Sequence, residues 1–196
     1  MIEKYKQILY IMKERRPTMK ILIISDIHGS NYYSERIKEI DEKEKPDQII
    51  LLGDLYYHGP RNDLTQEYNP MKVAGVLNDF GEKLRAVRGN CDAEVDEMIS
   101  FFKFDTHLKM QVNGKNVFFT HGHVYNMENL PEEKIDIMFY GHFHTGFIEE
   151  ENGVIFANPG SISLPKNNTE HSYIIFQENK ITLKNIDGKI IKEKML

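Results

Sequence analysis

The sequence lacks several features that would place it in a specialised class of protein. It has one cysteine, Cys91, and no tryptophan, so no disulfide can form within the chain, and a reducing cytoplasm is the expected compartment. No segment approaches the ~20 apolar residues that a membrane-spanning helix requires, so we expect no membrane association. Excess positive charge is also missing, because the net charge at pH 7 is −5. Long nucleic acids are therefore not the expected partners, since binding them depends on Lys and Arg.

What is present suits one globular domain. The chain has 196 residues, of which 40% are hydrophobic, and at that size a core can form without disulfides. Residues 1–18 differ from the rest, because they are highly charged and end at Arg15-Arg16-Pro17, just before a strong strand pattern. We therefore expect an N-terminal extension of uncertain role over residues 1–18 and a single domain over residues 19–196.

Five short apolar runs predict buried strands, because each is rich in Ile, Val, Leu or Phe and stops at a loop with Gly or Asp. They cover residues 21–25, 48–52, 84–88, 117–120 and 135–140. Helical patterns over residues 31–45 and 70–81 separate the first three, and a short third helix is predicted after Asp92. This alternation indicates a parallel sheet with helices packed on it.

Strand patterns dominate after residue 101. Hairpin signals occur at Asn113-Gly114, Asn152-Gly153 and Asp187-Gly188, since Asn-Gly and Asp-Gly favour tight turns. From Ser172 onward the pattern alternates as in surface strands. The predicted fold is mixed α/β (α+β), a two-sheet β-sandwich flanked by helices.

Side chains that can bind metal follow all five predicted strands. Asp26 and His28 follow the first, Asp54 the second, Asn90 the third, His121 and His123 the fourth, and His142 and His144 the fifth. Sites in open α/β sheets are built at this edge. A single histidine is more often structural than a ligand, but five of the eight histidines lie in these loops, and such clustering favours a metal site.

The donor types narrow the choice of metal. Carboxylate, imidazole and amide oxygen together suit divalent ions such as Mn, Fe, Zn or Ni. Thiolate selection is absent, because Cys91 is the one cysteine. The ligands are too many for one ordinary site, and they suit two ions that share a bridging carboxylate.

Four further motifs complete a recognisable pattern. They are Ser25-Asp26-Ile27-His28-Gly29-Ser30, His58-Gly59-Pro60-Arg61-Asn62, Val87-Arg88-Gly89-Asn90-Cys91-Asp92 and Asn158-Pro159-Gly160-Ser161. In this order they resemble the calcineurin-like metallophosphoesterase superfamily, and within it the small bacterial phosphodiesterases of the YfcE type. The resemblance covers essentially the whole chain from Met19. It implies the metallophosphoesterase-like four-layer fold, which agrees with the predicted sandwich.

Carried over residue by residue, the resemblance implies two divalent ions, with Mn²⁺ the first expectation and Zn²⁺, Ni²⁺, Fe or Mg²⁺ as alternatives. The implied ligands are Asp26, His28 and His144 for the first ion, Asn90, His121 and His142 for the second, and Asp54 bridging both. A hydroxide between the ions would attack a small phosphodiester. Asp54, Asn90 and His121 are the residues expected to act in catalysis.

Residues around this centre are candidates for substrate contact. His58 and Arg61 follow Asp54 and either bind phosphate or shape the loop, and His123 either contacts substrate or orients the site. Cys91 stands where many superfamily phosphatases have a histidine that protonates the leaving group, so good leaving groups should be favoured; alternatively, it is a buried filler. Phe143 replaces a residue that is usually small.

Two supporting features are also predicted. Asp92 is expected to orient His121 or His28, and residues 158–161 are expected to form a turn beneath the site. A phosphomonoesterase and a nuclease remain alternatives on the same chemistry. A protein-binding scaffold is another, because relatives such as the retromer subunit Vps29 use this fold after losing key ligands. A homo-oligomer is plausible, since related proteins often self-associate.

Overall fold

The computed structural model describes residues 19–196, which form two β-sheets and two α-helices. The prediction for residues 1–18 lies outside this range. The helices are α1 (Asn31–Glu44) and α2 (Pro70–Asn78), and the strands are β1 (Lys20–Ile24), β2 (Gln48–Leu51), β3 (Leu84–Val87), β4 (Phe104–Asp105), β5 (Leu108–Val112), β6 (Lys115–Thr120), β7 (Ile137–Tyr140), β8 (Gly146–Glu151), β9 (Val154–Pro159), β10 (Ser172–Gln177), β11 (Lys180–Asn185) and β12 (Ile190–Met195). The strand orders are β12-β11-β10-β1-β2-β3-β4 and β5-β6-β7-β9-β8.

The inner strands are buried on both faces, which explains their continuous apolar runs. In β1, Ile21 and Ile23 join the core between the sheets together with Phe139 of β7. Leu22 and Ile24 point to the other face and join the core beneath the helices. Strand β1 therefore contributes alternate side chains to two cores, one on each face of the seven-stranded sheet.

Both helices pack on the seven-stranded sheet. Ser30 caps α1 by accepting a hydrogen bond from the backbone N–H of Tyr33, and Lys45 ends the helix in the left-handed conformation with a φ of +50°. Helix α2 ends at Asn78, three residues earlier than predicted, and a 3₁₀ turn from Gly81 to Lys83 replaces its last part. Gly81 has a φ of +54°, which a continuing helix cannot accommodate.

The predicted sandwich is confirmed, with one difference in its outer layer. The outer face of the five-stranded sheet carries a third apolar cluster, which Tyr125 and Met127 cover from a loop. Within residues 19–196, that sheet is therefore covered by irregular chain and not by an α-helix. Neither helix of this range is long and apolar enough to cross a membrane.

Three local predictions differ in their outcome. The hairpin turns are confirmed, since Asn113-Gly114 and Asn152-Gly153 join paired strands and all four residues have positive φ. The helix predicted after Asp92 is instead a 3₁₀ helix over Glu94–Met98. The prediction of surface strands from Ser172 onward is wrong for β10 and β11, because both are largely buried and β10 pairs with β1 in the middle of the sheet.

Candidate metal centre

The loops that carry the predicted ligands meet at one end of the sandwich. Strands β1, β2 and β3 run parallel in one sheet, and β6 and β7 run parallel in the other. Parallel strands bring their carboxyl ends to the same edge. The two edges contact each other, because the backbone N–H of His142 donates to Asp26 Oδ2 at 3.0 Å and His121 Nε2 lies 3.4 Å from Asp54 Oδ2.

The backbone of these loops is strained in an unusual way. Five of the seven predicted ligands have a left-handed φ of 49° to 67°: Asp26, His28, Asp54, His142 and His144. This region is rare for residues with a side chain and costs about 1–2 kcal/mol each. Strain of this kind persists where the surrounding structure imposes it, and it concentrates at functional sites.

Two glycines allow the ligand loops to approach the carboxylates closely. A Cβ at Gly89 would lie 2.1 Å from Asp54 Oδ1, and a Cβ at Gly141 would lie 2.7 Å from Asp26 Oδ2 and 1.8 Å from Ser25 Oγ. None of these neighbours can move away without shifting a buried loop. These positions therefore require glycine for the close approach of backbone to side chain.

Asp26, His28 and His144 form one buried group of donors. The Nδ1 atoms of His28 and His144 lie 2.8 and 2.7 Å from the carbonyl oxygens of Tyr57 and Leu164. A carbonyl can only accept, so each Nδ1 donates, and in the neutral imidazole each Nε2 keeps its lone pair. The two Nε2 atoms lie 3.2 Å apart, and His144 Nε2 lies 3.4 Å from Asp26 Oδ1. Three acceptors thus point at one place.

A divalent cation bound between these donors would remove the repulsion between their lone pairs. Two lone pairs at 3.2 Å repel each other unless a proton or a metal ion lies between them. Asp26 Oδ1 is buried and has no hydrogen-bond donor among the described residues, and such an atom normally has a partner. Burial would raise the pKa of Asp26, but His144 and His28, when their rings are protonated, hold it well below its usual range. The charged carboxylate and two imidazoles fit a borderline divalent ion.

A second group of donors surrounds His121. Its Nδ1 donates to the carbonyl of Leu52 at 2.6 Å, and its Nε2 lies 3.0 Å from Asn90 Oδ1. Burial alone would lower the pKa of His121, but the carboxylates of Asp54 and Asp26 raise it to about 9. The surroundings therefore favour a positive charge at this nitrogen, which a metal ion would supply in place of the proton.

His142 completes the second group from the other sheet. Its ring centroid lies 5.1 Å from that of His121. Burial and the nearby charge of His121 lower the pKa of His142, so its imidazole is neutral at pH 7 and can donate a lone pair. This side chain is half-buried and Asn90 is exposed, so the second group is open to solvent on one side.

Asp54 lies between the two groups. Its Oδ2 is 3.7 Å from His28 Nε2 and 3.4 Å from His121 Nε2. Its Oδ1 accepts a hydrogen bond from the backbone N–H of Cys91 at 2.8 Å. All seven predicted ligands are therefore brought together, with one carboxylate placed to contact both groups.

Asp92 supports the site differently from the prediction. Its carboxylate accepts hydrogen bonds from the backbone N–H groups of Asp54, Leu55 and Gly89 at 2.7–2.8 Å. It therefore holds the loops after β2 and β3 together and does not orient a histidine. Burial and the charge of Asp54 raise its pKa to about 6. The sequence does not predict this role, because hydrogen bonds from three backbone N–H groups require no particular side chain at those positions.

Residues 158–161 also support the site, although the first two belong to β9 and are not a turn. Asn158 Nδ2 donates to the carbonyl of Gly141 at 2.8 Å, and Ser161 Oγ donates to the carbonyl of Asp26 at 2.7 Å. Ser163, which the sequence analysis missed, donates to the same Asp26 carbonyl at 2.9 Å. These bonds hold the left-handed backbone of Asp26 in place.

A cleft of about 790 Å³ opens over the two groups of donors. Its lining includes five of the seven candidate ligands and, among other residues, Tyr57, Arg61, Cys91, Asp92, Phe143 and Lys166. Arg61 and Phe143 thus lie where the sequence predicted. Lys166 was missed, because it lies on a loop more than twenty residues after the last ligand and has no motif around it.

Two residues that were predicted to contact substrate, His58 and His123, do not line the larger cleft. The ring of His58 packs against Tyr57 and Tyr68, with centroids 4.7 and 5.3 Å apart, and does not line this cleft. His123 is exposed and lines a separate, smaller cleft beside the first. Substrate contact by these two histidines stays a prediction.

Cys91 lines the larger cleft and is only partly buried, so it is not a simple core filler. Burial and the charge of Asp54 raise the pKa of its thiol to about 12. The thiol therefore keeps its proton at neutral pH, which makes it a weak acid for a departing alkoxide.

Comparison with known proteins matches residues 19–180 to the calcineurin-like phosphoesterase superfamily domain. The chain belongs to this superfamily. The phosphodiesterase YfcE of Escherichia coli K12 is 41% identical over 157 residues, which are 79% of this chain and 85% of YfcE. The solved structure of YfcE, described as a phosphoesterase, superposes with a TM-score of 0.87 at 36% identity and covers 90% of this chain and 99% of that one.

The superfamily fold also occurs in more distant proteins. Zinc-bound Vps29 from Entamoeba histolytica superposes with a TM-score of 0.59 at 18% identity, over 91% of this chain and 98% of that one, which shows the fold alone. The predicted family, fold and enzyme class are confirmed, because the superfamily is hydrolytic and the chain matches it over most of its length. Membership implies divalent metal ions, and two clusters of side chains could hold one: Asp26, His28 and His144, and Asp26, Asp54 and His121.

Proposed function

We propose that the protein is a metal-dependent phosphodiesterase that hydrolyses a small phosphodiester at a centre of two divalent ions, with Mn²⁺ as the first candidate. The observation that carries the proposal is the position of Asp54 between two histidine-containing groups of donors. Asp26, His28 and His144 would hold one ion, Asn90, His121 and His142 would hold the other, and Asp54 would contact both. The relation to a protein named phosphodiesterase YfcE supports this reaction class.

The chain's own residues prepare the site for this reaction. When bound, a pair of divalent ions supplies an activated water molecule and neutralises charge on the phosphoryl group. His28, His121 and His144 keep Nε2 directed at the centre because each Nδ1 donates to a carbonyl oxygen. The overall reaction consumes one water, breaks one phosphorus–oxygen ester bond, and gives a phosphomonoester and an alcohol.

The larger cleft favours particular leaving groups. Arg61 and Lys166 line it, and neither forms an ion pair with any residue of the described range 19–196. Their charges are free to stabilise the negative charge that develops on a departing oxygen. Because Cys91 is a weak acid, substrates whose leaving group needs no proton, such as aryl esters, should react faster than alkyl esters.

The test is a metal add-back assay. Protein stripped with a chelator is given Mn²⁺, Mg²⁺, Zn²⁺ or Ni²⁺ singly and assayed with bis(4-nitrophenyl) phosphate and with 4-nitrophenyl phosphate. We expect metal-restored hydrolysis of the diester, with the monoester much slower. Folded, metal-loaded protein that hydrolyses neither compound would overturn the proposal and favour a binding scaffold.

A further inference from the structure

A second cleft of about 340 Å³ lies beside the metal centre. It shares no lining residue with the larger cleft, yet it touches the same loops, because Gly89 directly precedes Asn90 and His123 follows His121 by two positions. The ring of His123 lies 5.3 Å from that of His121. The candidate metal centre is thus bordered by two separate clefts.

Three of the eight residues that line the second cleft carry aromatic rings: His107, His123 and Tyr125. His107 lines it and stacks on Phe118, with ring centroids 4.9 Å apart and an interplanar angle of 18°. Tyr125 stands edge-on to both rings, at 6.4 Å from His107 and 5.7 Å from Phe118. Val124 lies next to it with 48% of its surface exposed. Such a wall offers stacking and edge contacts to a planar ring.

The second cleft offers no free charge. Arg88 is the one Lys, Arg, Asp or Glu among its lining residues, and its guanidinium pairs with Glu97 and lies 5.5 Å from the ring centroid of Phe104. The larger cleft differs, because Arg61 and Lys166 have no acidic partner within residues 19–196. A neutral group suits the second cleft, whereas an anionic group suits the larger one.

We propose that the second cleft binds the ester group that stays on the phosphorus after hydrolysis, and that this group is a planar aromatic ring. The proposal rests on the proposed phosphodiesterase function. A departing oxygen gains negative charge and is stabilised near Arg61 and Lys166, whereas the retained ester stays neutral. The cleft volume lies at the small end of the ~300–1,000 Å³ of ligand sites, which suits one ring. A monoester has no group for this cleft.

The test uses two diesters with the same leaving group. Bis(4-nitrophenyl) phosphate and methyl 4-nitrophenyl phosphate both release 4-nitrophenolate, and they differ in the retained ester. In metal-loaded Val124→Asp we expect the ratio of kcat/KM for the aryl to the methyl compound to fall about tenfold, because the bound ring would desolvate the new carboxylate. Ile190→Asp, on β12 with 51% exposure, should keep the wild-type ratio.

Val124→Ala is the second variant, because it removes apolar surface without adding charge. We expect its ratio to fall about two- to threefold. Wild-type ratios in both Val124 variants would overturn the cleft assignment while leaving the proposed function intact. The proposed function itself fails separately, if metal-loaded wild-type protein hydrolyses neither diester. If Val124→Asp is inactive on both compounds, the ratio measured for Val124→Ala decides whether the cleft assignment stands.

Discussion

The two groups of donors form two halves of the candidate metal centre, and these halves differ in their exposure to solvent. In the first half, Asp26, His28 and His144 are 0%, 1% and 3% exposed. In the second half only His121 is fully buried, because Asn90 is exposed and His142 is half-buried. The donors of the first half are therefore held by packing on all sides, whereas Asn90 and His142 in the second half are packed on one side only.

This difference has a consequence for metal binding. A preorganised site spends less of its binding free energy on ordering ligands, so the first half should bind its ion more tightly. The open side of the second half faces the larger cleft, which includes Asn90 and His142 in its lining. The phosphoryl group should therefore approach through the half that is less rigid.

The largest expected effect comes from Asp54, which belongs to both halves. Asp54→Ala should lower kcat/KM for the diester by about 10³-fold or more, because it removes charge from the centre as a whole. It should also reduce the bound metal, measured by elemental analysis of protein with wild-type circular dichroism. Asp63→Ala, an exposed residue in the following loop, is the matched control. Near-normal turnover with full metal content would refute the bridging assignment.

A direct comparison of the halves uses His144→Ala and His142→Ala. We expect a loss of about 100-fold in affinity for the tightest-bound ion in the first variant and about tenfold in the second, because His144 is buried and locked by its Nδ1 bond. Competition with a metal-binding dye measures both values. His171→Ala, whose ring stacks on Tyr33 away from the centre, controls for loss of a histidine. Equal losses of metal affinity would mean that burial of the donors does not make the first half bind its ion more tightly.

The smallest effect comes from a charged network remote from both halves, and it affects folding stability. Burial would raise the pKa of Glu44, but hydrogen bonds from Lys184, Lys20 and Tyr173 lower it to about 2. A lowered carboxyl pKa stabilises the fold above the unfolded pKa of about 4.3, and this contribution is lost as pH falls from there toward 2.

Glu44→Gln should therefore be less stable than wild type by about 2 kcal/mol at pH 7, after allowing for solvent screening of the lysines. The difference should shrink as pH falls below about 4.3. Urea unfolding of metal-free protein at a series of pH values measures it. Metal affinity should stay unchanged, and a large change would show that the network is coupled to the centre.

Much of this site was predictable, because metal ligands need particular side chains at the ends of particular strands. The seven candidate ligands, the two sheets and the hairpin turns at Asn113 and Asn152 all have local signals in the sequence. The support from Asp92, Ser163 and Lys166 had none, since each acts through contacts between loops that are distant in the chain. The surface assignment of β10 and β11 failed for the same reason.

The amino-acid sequence by itself determined the family, the order of the strands along the chain and the residues that can bind metal, because these follow from local patterns of apolar and polar side chains. Only the tertiary structure decided which groups face one another. The Nε2 atoms of His28 and His144 lie 3.2 Å apart, one half of the centre is buried, and two clefts with different lining residues border it. Such properties depend on distances across two packed sheets, which no local pattern encodes.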